Sequence, residues 1–187
     1  MTRIISGRAG GTVLDVPAKG TRPTSDRVRE SLFGALESAG LLDGARVADL
    51  YAGSGALGLE SLSRGAASAD LVELSGPAAG LIRRNAARVG AAGVSARASV
   101  HRANVTAYLT SVEAEWDLVF LDPPYDLADA DLTRALTALA PHLSPDAVVV
   151  VERSTRSGAP DWAAAGLVAE RDRAYGDTTM WWGGLPA

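Results

Sequence analysis

The sequence predicts an α/β protein built on one doubly wound, mostly parallel sheet. From residue 46 onward, short apolar segments alternate with amphipathic stretches, as in strand–helix–strand units. Two of the apolar segments, Leu118–Leu121 and Val148–Val151, are uninterrupted, which is typical of strands covered by helices on both faces. With 187 residues, of which 47% are hydrophobic and 21% charged, the chain has the size and composition of one globular domain.

Residues 1–40 are predicted to form an N-terminal extension made of a β-hairpin and a helix. Residues 3–16 contain two short β-like segments around a glycine-rich turn, and a loop follows them. Thr24 or Ser25 can cap the next helix. Its apolar residues recur at helical spacing: Val28, Leu32 and Leu36.

Residues 41–187 are predicted to hold the sheet. The strand candidates are Arg46–Leu50, Ala69–Leu74, Ser99–Arg102, Asp117–Leu121, Ala147–Glu152, Leu167–Ala174 and Thr178–Trp182. Helices are predicted near residues 56–64, 77–89 and 129–141. Only a short turn, residues 175–177, separates the last two strands, so we expect the final strand to enter the sheet antiparallel.

The composition excludes several classes of chemistry. The chain has no cysteine, which rules out disulfides, thiolate metal sites and a cysteine nucleophile. Its two histidines, His101 and His142, lie far apart in no metal-binding pattern, so we expect no metal. There is neither an apolar leader nor an apolar run long enough to span a bilayer, and we therefore expect a cytoplasmic protein without membrane contact.

The charge distribution is uneven along the chain. The whole chain carries a net charge of -4, yet residues 1–34 hold six basic and three acidic side chains. A basic arm on an acidic body is a candidate surface for nucleic-acid phosphates, and a solvated exposed segment is the alternative. Arg3, Arg8 and Arg22 are the candidate phosphate contacts.

A glycine-rich motif follows the strand Arg46–Leu50. Gly53, Gly55 and Gly58 fit the pattern G-x-G-x-x-G, in which the first two glycines permit a tight turn close to a ligand and the third permits close helix packing. Glu73 ends the next strand, where a carboxylate can accept hydrogen bonds from both ribose hydroxyls. Together these residues predict a site for an adenosine-type cofactor, against the alternative of a purely structural glycine turn.

An acidic residue, Asp49, precedes Gly53 by four positions and gives the motif D-x-x-x-G-x-G. This arrangement resembles the S-adenosylmethionine motif of class I methyltransferases, whereas dinucleotide sites normally begin their glycines directly at the strand end. The resemblance implies that Asp49 orders the loop and the amino-acid end of the cofactor. The other residues it places at the cofactor are Tyr51, Ala52, Gly53, Ser54, Gly55, Glu73 and Leu74.

A second motif, Asp122-Pro123-Pro124-Tyr125, directly follows the strand Asp117–Leu121. Two prolines can continue neither a helix nor a central strand, so they form a rigid turn, and a plain strand-ending turn is the structural alternative. The flanking residues indicate chemistry at the carboxyl edge of the sheet. The Asp122 carboxylate and the Pro123 carbonyl can accept the two N–H bonds of a nucleobase amine and aim its lone pair at a sulfonium methyl group.

Tyr125 would stack on that base, which must be unpaired or turned out of its helix. The motif resembles the (D/N)-P-P-(Y/F) signature of amino-methyltransferases that act on nucleic acids.

Three segments point to one family among the methyltransferases. They are R-P-T-S-D-R-V-R-E-S-L-F at residues 22–33, the stretch from Asp49 to Glu60, and S-R-G-A at residues 63–66. They resemble the ribosomal RNA small-subunit methyltransferase D family over nearly the whole chain. The resemblance implies a Rossmann-like class I methyltransferase fold with a seven-stranded sheet and S-adenosylmethionine as cofactor. It also implies methyl transfer to a guanine N2 of 16S ribosomal RNA in a partly assembled 30S particle, by an enzyme that we expect to be a monomer.

The same resemblance assigns further positions. Asn104, with Val105 beside it, is expected near the adenine, although Asn104 can equally cap a short helix. Thr24 and Arg27 are expected near the entrance for cofactor and target, with a helix cap and a surface cation as the alternatives. Trp181 and Trp182 could stack on RNA, but neighbours in a strand face opposite ways, so we expect at least one in the core.

Three other functions remain open at this stage. A DNA adenine-N6 or cytosine-N4 methyltransferase would share the Asp122–Tyr125 motif, but the sequence offers no recognisable target-recognition domain for DNA. An NAD-dependent oxidoreductase would use the glycine motif and leave Asp122–Tyr125 without a role. A non-catalytic RNA-binding assembly factor would not need Asp122.

Overall fold

The computed structural model describes residues 2–17 and 25–187. Its strands are β1 (Thr2–Arg3), β2 (Val13–Leu14), β3 (Arg46–Leu50), β4 (Ser68–Glu73), β5 (Arg97–Arg102), β6 (Trp116–Leu121), β7 (Leu143–Ser154), β8 (Val168–Tyr175) and β9 (Thr178–Gly184). Its helices are α1 (Asp26–Ser38), α2 (Ala56–Ser63), α3 (Gly76–Ala91), α4 (Val105–Leu109) and α5 (Asp129–Leu139). The predicted loop at residues 19–23, with Arg22, and the possible cap Thr24 lie outside the described residues.

The main sheet has seven strands in the order β5-β4-β3-β6-β7-β9-β8. Strands β3 to β7 pair in parallel, and β9 lies antiparallel between β7 and β8. This confirms the predicted mostly parallel sheet with an antiparallel last strand. Because the parallel strands share one direction, their carboxyl ends meet at one edge of the sheet, where α/β folds bind ligands.

The predicted elements are present, with small differences at their ends. β3 matches its prediction, whereas β7 begins earlier, at Leu143, because its first residues pair with Trp116 before the register shifts between Trp116 and Leu118. The third predicted helix of the sheet unit ends at Leu139 as α5 and continues as one 3-10 turn. Ser25 caps α1 by accepting a hydrogen bond from the Val28 N–H.

The core lies on both faces of the sheet, and the N-terminal extension helps to build one of them. Ile4, Leu14 and Phe33 from the extension are buried in the same apolar cluster as the sheet residues Phe120 and Met180, together with residues of α2 and α3. The rings of Phe33 and Phe120 lie 5.9 Å apart at a tilted angle. Helices α4 and α5 cover the opposite face. The extension therefore shares a core with the sheet.

A buried group of charges joins β1 to α2. Glu60, fully buried in α2, accepts hydrogen bonds from the backbone N–H groups of Ile5 at 2.7 Å and Ser6 at 3.0 Å and from Nε of Arg64 at 2.7 Å. The guanidinium of Arg29 in α1 is also buried and lies 3.8 Å from the Glu60 carboxylate. The start of the chain is thus held on the sheet domain by charge-assisted hydrogen bonds.

The two adjacent tryptophans of β9 are mainly structural. Trp182 is buried in the cluster on the α1 side, and Trp181 packs against the opposite cluster. The expectation that at least one of them lies in the core is therefore confirmed. Within residues 2–17 and 25–187, no helix combines the length and the apolar character needed to cross a membrane.

Candidate active site

A cleft of about 680 Å³ lies at the carboxyl edge of the sheet and joins the two predicted motifs. It opens where β3, β4 and β6, neighbours in the sheet, reach their carboxyl ends. Its lining includes Gly53 from the glycine motif and all of Asp122–Tyr125. The remaining lining residues are Tyr51, Val72, Glu73, Leu74, Ser75, Asn104, Val105, Thr106, Leu127, Asp131 and Arg134.

The three glycines of the first motif differ in how much space lies beside them. Gly53 has φ +58° and a Cβ there would meet nothing nearer than the Tyr51 carbonyl oxygen at 4.0 Å, so the backbone leaves space on the cleft side. A Cβ on Gly55 would lie 3.0 Å from Ile82, and one on Gly58 would lie 3.0 Å from Leu71. Gly58 therefore permits close helix packing, as the pattern predicts, and Gly55 also packs closely, beside Ile82 of α3; the contact of Gly55 with the cofactor stays a prediction.

Glu73 braces the glycine loop at the end of β4. One carboxylate oxygen accepts a hydrogen bond from the Gly53 N–H at 3.0 Å, and the other accepts one from the Ser75 N–H at 2.8 Å. Each oxygen keeps a lone pair for a further donor. Because Glu73 also lines the cleft, its carboxylate can hold the loop and receive hydroxyl groups of a bound ligand at the same time.

Asp49 lies beneath the loop and does not line the cleft. It is buried in β3 and accepts a hydrogen bond from the Gly58 N–H at 2.8 Å, at the start of α2. Burial raises the pKa of this carboxyl from 3.8 to about 7, and the negative charge of Glu73 adds to the rise, while the Gly58 N–H opposes it. The contacts support the loop-ordering half of its predicted role, and its contact with the cofactor stays a prediction.

The raised pKa of Asp49 predicts a specific pH dependence of stability. Between about pH 4 and 7 the unfolded chain releases this proton while the folded chain retains it, so the free energy of unfolding falls as pH rises through that window. Asp49→Asn removes this decline. The free energy of unfolding of the variant, relative to that of the parent protein, should therefore rise by about 2 kcal/mol between pH 5 and pH 7.5. Urea unfolding of the cofactor-free proteins measures it, and parallel pH curves would contradict the assignment.

The other loop residues, Tyr51, Ala52 and Ser54, occupy distinct positions. Tyr51 lines the cleft with φ +66°, a backbone conformation that costs a non-glycine residue energy and is concentrated at functional sites. Burial and the nearby charge of Asp131 raise the pKa of its hydroxyl to about 12, so it stays a neutral donor. Ala52 is buried, and neither Ala52 nor Ser54 is among the residues that line the cleft. Their contact with the cofactor stays a prediction.

On the other wall, Leu74, Asn104 and Val105 all line the cleft, as predicted. Leu74 is exposed there, with no core contact to explain its position. Asn104 caps α4, its side-chain oxygen accepting a hydrogen bond from the Ala107 N–H at 3.2 Å. The capping alternative is therefore correct, and Asn104 also lines the cleft.

The Asp122–Tyr125 turn lines the same cleft and follows β6, the strand next to β3. It leaves β6 directly, and the Pro124 carbonyl accepts a hydrogen bond from the Leu127 N–H at 2.9 Å, which closes the turn. The Tyr125 ring is 59% exposed although it is aromatic, so it is available as a stacking platform. The turn thus brings Asp122, Pro123 and Tyr125 into the lining of one cleft.

Sequence reasoning missed the residues that α5 contributes to the cleft. Asp131 and Arg134 in α5 line it and form an ion pair with each other. The signal for them was weak, since an i, i+3 acid–base pair on an exposed helix face is usually a solvated pair. Among the described residues, three carboxylates and one paired guanidinium therefore line this cleft.

A buried amide on α3, Asn85, was also missed. Its Nδ2 donates to the carbonyl oxygens of Asp15 and Ser54, both at 2.9 Å, and its Oδ1 accepts from the Asp15 N–H at 2.9 Å. Arg88, one turn further along α3, forms an ion pair with the Asp15 carboxylate at 2.9 Å. Asn85 therefore ties the end of β2 in the extension to the glycine loop.

The arginines predicted to contact RNA are dispersed. Arg3, Arg8 and Arg27 are all exposed, and Arg22 lies outside the described residues. The Arg8 N–H donates to the Ser63 carbonyl at the end of α2, and its side chain lies near Gly93, just before β5. Arg8 therefore sits at the amino edge of the sheet, opposite the cleft.

The residues of the cleft fit S-adenosylmethionine. The open space beside Gly53 admits a ligand close to the backbone, and Glu73 offers acceptors for ribose hydroxyls. The excess of carboxylates in the lining suits a positively charged sulfonium. The cleft volume lies in the usual range for a site of this kind, about 300–1,000 Å³.

Comparison with known proteins identifies the family. The family model described as Conserved hypothetical protein 95 matches residues 2–183. Ribosomal RNA small subunit methyltransferase D of Escherichia coli K12 is 37% identical over 179 residues, covering 90% of this chain and 87% of that protein.

Solved structures agree with that match. The structure of yhhF from Escherichia coli has a TM-score of 0.83 at 33% identity, over 97% of this chain and 96% of that one. A ribosomal protein L11 methylase from Lactobacillus delbrueckii, at 18% identity and a TM-score of 0.70 over 88% of this chain and 81% of that one, shares the fold. The chain thus belongs to the Conserved hypothetical protein 95 family and to the family of ribosomal RNA small subunit methyltransferase D, and it is a methyltransferase with the class I fold.

Proposed function

We propose that this protein transfers a methyl group from S-adenosylmethionine to the exocyclic N2 of a guanine in 16S ribosomal RNA. The observation that carries the proposal is the shared cleft, which is lined by Gly53 and Glu73 as well as by the Asp122–Tyr125 turn. The name of the Escherichia coli relative, ribosomal RNA small subunit methyltransferase D, supports RNA of the small subunit as the substrate.

The residues of the turn account for the selectivity for an amine. The lone pair of a guanine N2 is delocalised into the ring, which makes the nitrogen a weak nucleophile. The Asp122 carboxylate and the Pro123 carbonyl accept its two N–H bonds, favour a more pyramidal nitrogen and offset the positive charge that develops on it. Tyr125 stacks on the base and holds it out of its helix. When bound, the cofactor supplies an electrophilic methyl group.

The loop residues hold the cofactor in this proposal. Glu73 receives the ribose hydroxyls, and Asn104 and Leu74 border the adenine. Asp49 keeps the loop in place through the Gly58 N–H. Residues 1–40 form an extension that contacts RNA, and Arg3, Arg22 and Arg27 supply its phosphate contacts. Arg8 lies at the amino edge of the sheet, so it contacts only RNA that extends to that edge. The substrate is the 30S particle or its assembly intermediate, and the enzyme acts as a monomer.

The test is methylation of defined particles. The purified protein and labelled S-adenosylmethionine are incubated with 30S subunits from a strain that lacks this enzyme, and the modified nucleotide is mapped. We expect one N2-methylguanine in 16S ribosomal RNA. In a parallel reaction with DNA, label on adenine N6 or cytosine N4 would favour the DNA methyltransferase. In a parallel binding assay, binding of NAD in place of S-adenosylmethionine would favour the oxidoreductase. Binding of 30S subunits without any transfer would favour an assembly factor.

Glu73→Gln should weaken cofactor binding. The variant keeps one acceptor oxygen, but its NH₂ group faces the N–H of Gly53 or Ser75, so the brace of the loop and the ribose acceptor are both impaired. We expect the Kd for S-adenosylhomocysteine to rise about 10- to 100-fold, since hydrogen bonds to a charged group are worth about 1.5–3 kcal/mol.

Titration calorimetry measures that change. Glu115→Gln is the matched control, because Glu115 is an exposed acid just before β6, at the edge of the sheet opposite the cleft, where it forms an ion pair with Arg46. An unchanged Kd for the Glu73 variant would remove Glu73 from the cofactor site.

A further inference from the structure

The edge strand β8 separates its charges between the two sides of the sheet. Arg171 pairs with Trp182 of β9 and Arg173 pairs with Met180, both of which belong to the core cluster on the α1 side. Asp172 lies between them and pairs with Trp181, which packs on the opposite side. Because side chains alternate along a strand, the two arginines share the α1 side and the aspartate faces away.

The two guanidinium groups are held against aromatic rings. The Arg171 guanidinium lies 3.9 Å from the ring centroid of Trp182, and that of Arg173 lies 5.2 Å from the ring of Tyr175. Stacking leaves the in-plane N–H donors of an arginine available and reduces the entropy lost when they bind. Both arginines are exposed, and neither forms an ion pair with any residue in the described part of the chain.

This pair of cations lies toward the edge of the sheet that holds the cleft. β8 runs parallel to β7, so its end at Tyr175 is at the carboxyl edge, and the turn after it contacts the end of β7 through the Thr155 N–H and the Asp177 carbonyl at 2.8 Å. The Tyr175 hydroxyl is hydrogen-bonded to Ser31 of α1 at 2.9 Å. Three strand spacings separate β8 from β6, about 14 Å.

The cleft itself is a poor place for phosphates. Glu73, Asp122 and Asp131 line it, and the guanidinium of Arg134 in its lining is already paired with Asp131. The backbone of a nucleic acid whose base enters this cleft must therefore find its cations outside the lining.

We propose that Arg171 and Arg173 form a docking surface for the phosphodiester backbone of the RNA that flanks the target base. The proposal rests on the proposed function, since it concerns the substrate of the same cleft. Two unpaired, ring-stacked guanidinium groups on one side of a rigid strand fit phosphate oxygens, which accept several N–H donors at once.

The test compares the double variant Arg171→Gln/Arg173→Gln with the parent protein. The measurement is the affinity for unmethylated 30S subunits and for naked 16S ribosomal RNA at several salt concentrations. We expect affinity for both to fall about 5- to 20-fold and the slope of log K against log salt to become shallower by about 1–2, as expected for two lost phosphate contacts. The Kd for S-adenosylhomocysteine should stay unchanged, and the loss of two exposed cation–π contacts should lower the thermal midpoint by only a few degrees.

Matched controls separate charge from packing. Asp172→Asn alters the opposite side of the same strand, and Arg97→Gln removes an exposed arginine at the start of β5, on the amino edge. Neither should change RNA affinity by more than about twofold. The lysine pair Arg171→Lys/Arg173→Lys should keep most of the salt slope, because the charges remain.

Several results would overturn the docking surface. One is an RNA affinity and a salt slope of Arg171→Gln/Arg173→Gln that equal those of the parent protein. Another is an equal loss of RNA affinity in the double lysine and the double glutamine variants. A loss confined to 30S subunits, with naked RNA bound as before, would assign the surface to a ribosomal protein. Failure of the parent protein to methylate 30S subunits would count against the proposed function alone, since binding of naked RNA still decides the docking surface.

Discussion

Replacing Asp122 by alanine is expected to lower kcat for 30S subunits by about 100- to 1,000-fold, the usual cost of removing one group that stabilises developing charge. The substitution removes the carboxylate that accepts an N–H bond of the guanine amine. It leaves the Pro123 carbonyl, the Tyr125 ring and the glycine loop in place. Affinity for S-adenosylhomocysteine should therefore change little.

Asparagine at the same position separates two roles for this carboxylate. Asp122→Asn retains a side-chain oxygen that can accept an N–H bond but cannot take up a proton. If Asp122 only orients the amine and solvent takes the proton, the asparagine variant should keep kcat within about tenfold of the parent. If Asp122 is also the proton acceptor, both variants should be equally slow. Single-turnover methylation with 30S subunits measures both, and wild-type rates in the alanine variant would remove Asp122 from catalysis.

The order and direction of the main elements could be predicted from the sequence because their signals are local. The uninterrupted run Val148–Val151 identifies a strand covered on both faces, and the glycines after β3 identify the turn into α2. The Asp122–Tyr125 turn was equally readable, since two prolines after an apolar strand leave the chain no regular continuation. Parallel strands then bring both motifs to one edge.

Contacts distant in sequence could not be predicted in the same way. Asn85 lies in the middle of an amphipathic helix, and nothing local indicates that its amide joins Asp15 to Ser54. Gly55 has the spacing of a ligand-contacting glycine, yet the side chain of Ile82 occupies the space beside it. Such positions depend on which elements pack together, which periodicity alone does not specify.

A charged residue inside a family motif need not contact the substrate. Arg29 and Glu60 both stand in segments that resemble the methyltransferase D family, yet the structure buries them together, away from the cleft lining. Their work is to fix the extension on the sheet. A charge inside a motif can thus serve packing as readily as substrate.

Loss of Glu60 should therefore be among the most destabilising single changes in this chain. Glu60→Ala leaves the N–H groups of Ile5 and Ser6 without their acceptor and leaves the buried guanidinium groups of Arg29 and Arg64 without the carboxylate between them. Removing one partner of a buried ion pair costs about 3–5 kcal/mol. We expect the free energy of unfolding in urea to fall by that amount.

Two further variants serve as controls for Glu60→Ala. Glu115→Ala removes an exposed partner of Arg46 and should cost no more than about 1 kcal/mol, as surface ion pairs do. Glu60→Gln keeps the shape and one acceptor oxygen, but it loses the charge and turns an NH₂ group toward one of the former donors, so its loss of stability should lie between those of the other two variants. Equal stability of the Glu60→Ala and Glu115→Ala variants would show that the buried charges do not hold the extension. If the extension does depend on Glu60, the alanine variant should also expose the Asp15 N–H to faster hydrogen exchange, because β2 and its bonds to Asn85 loosen with β1.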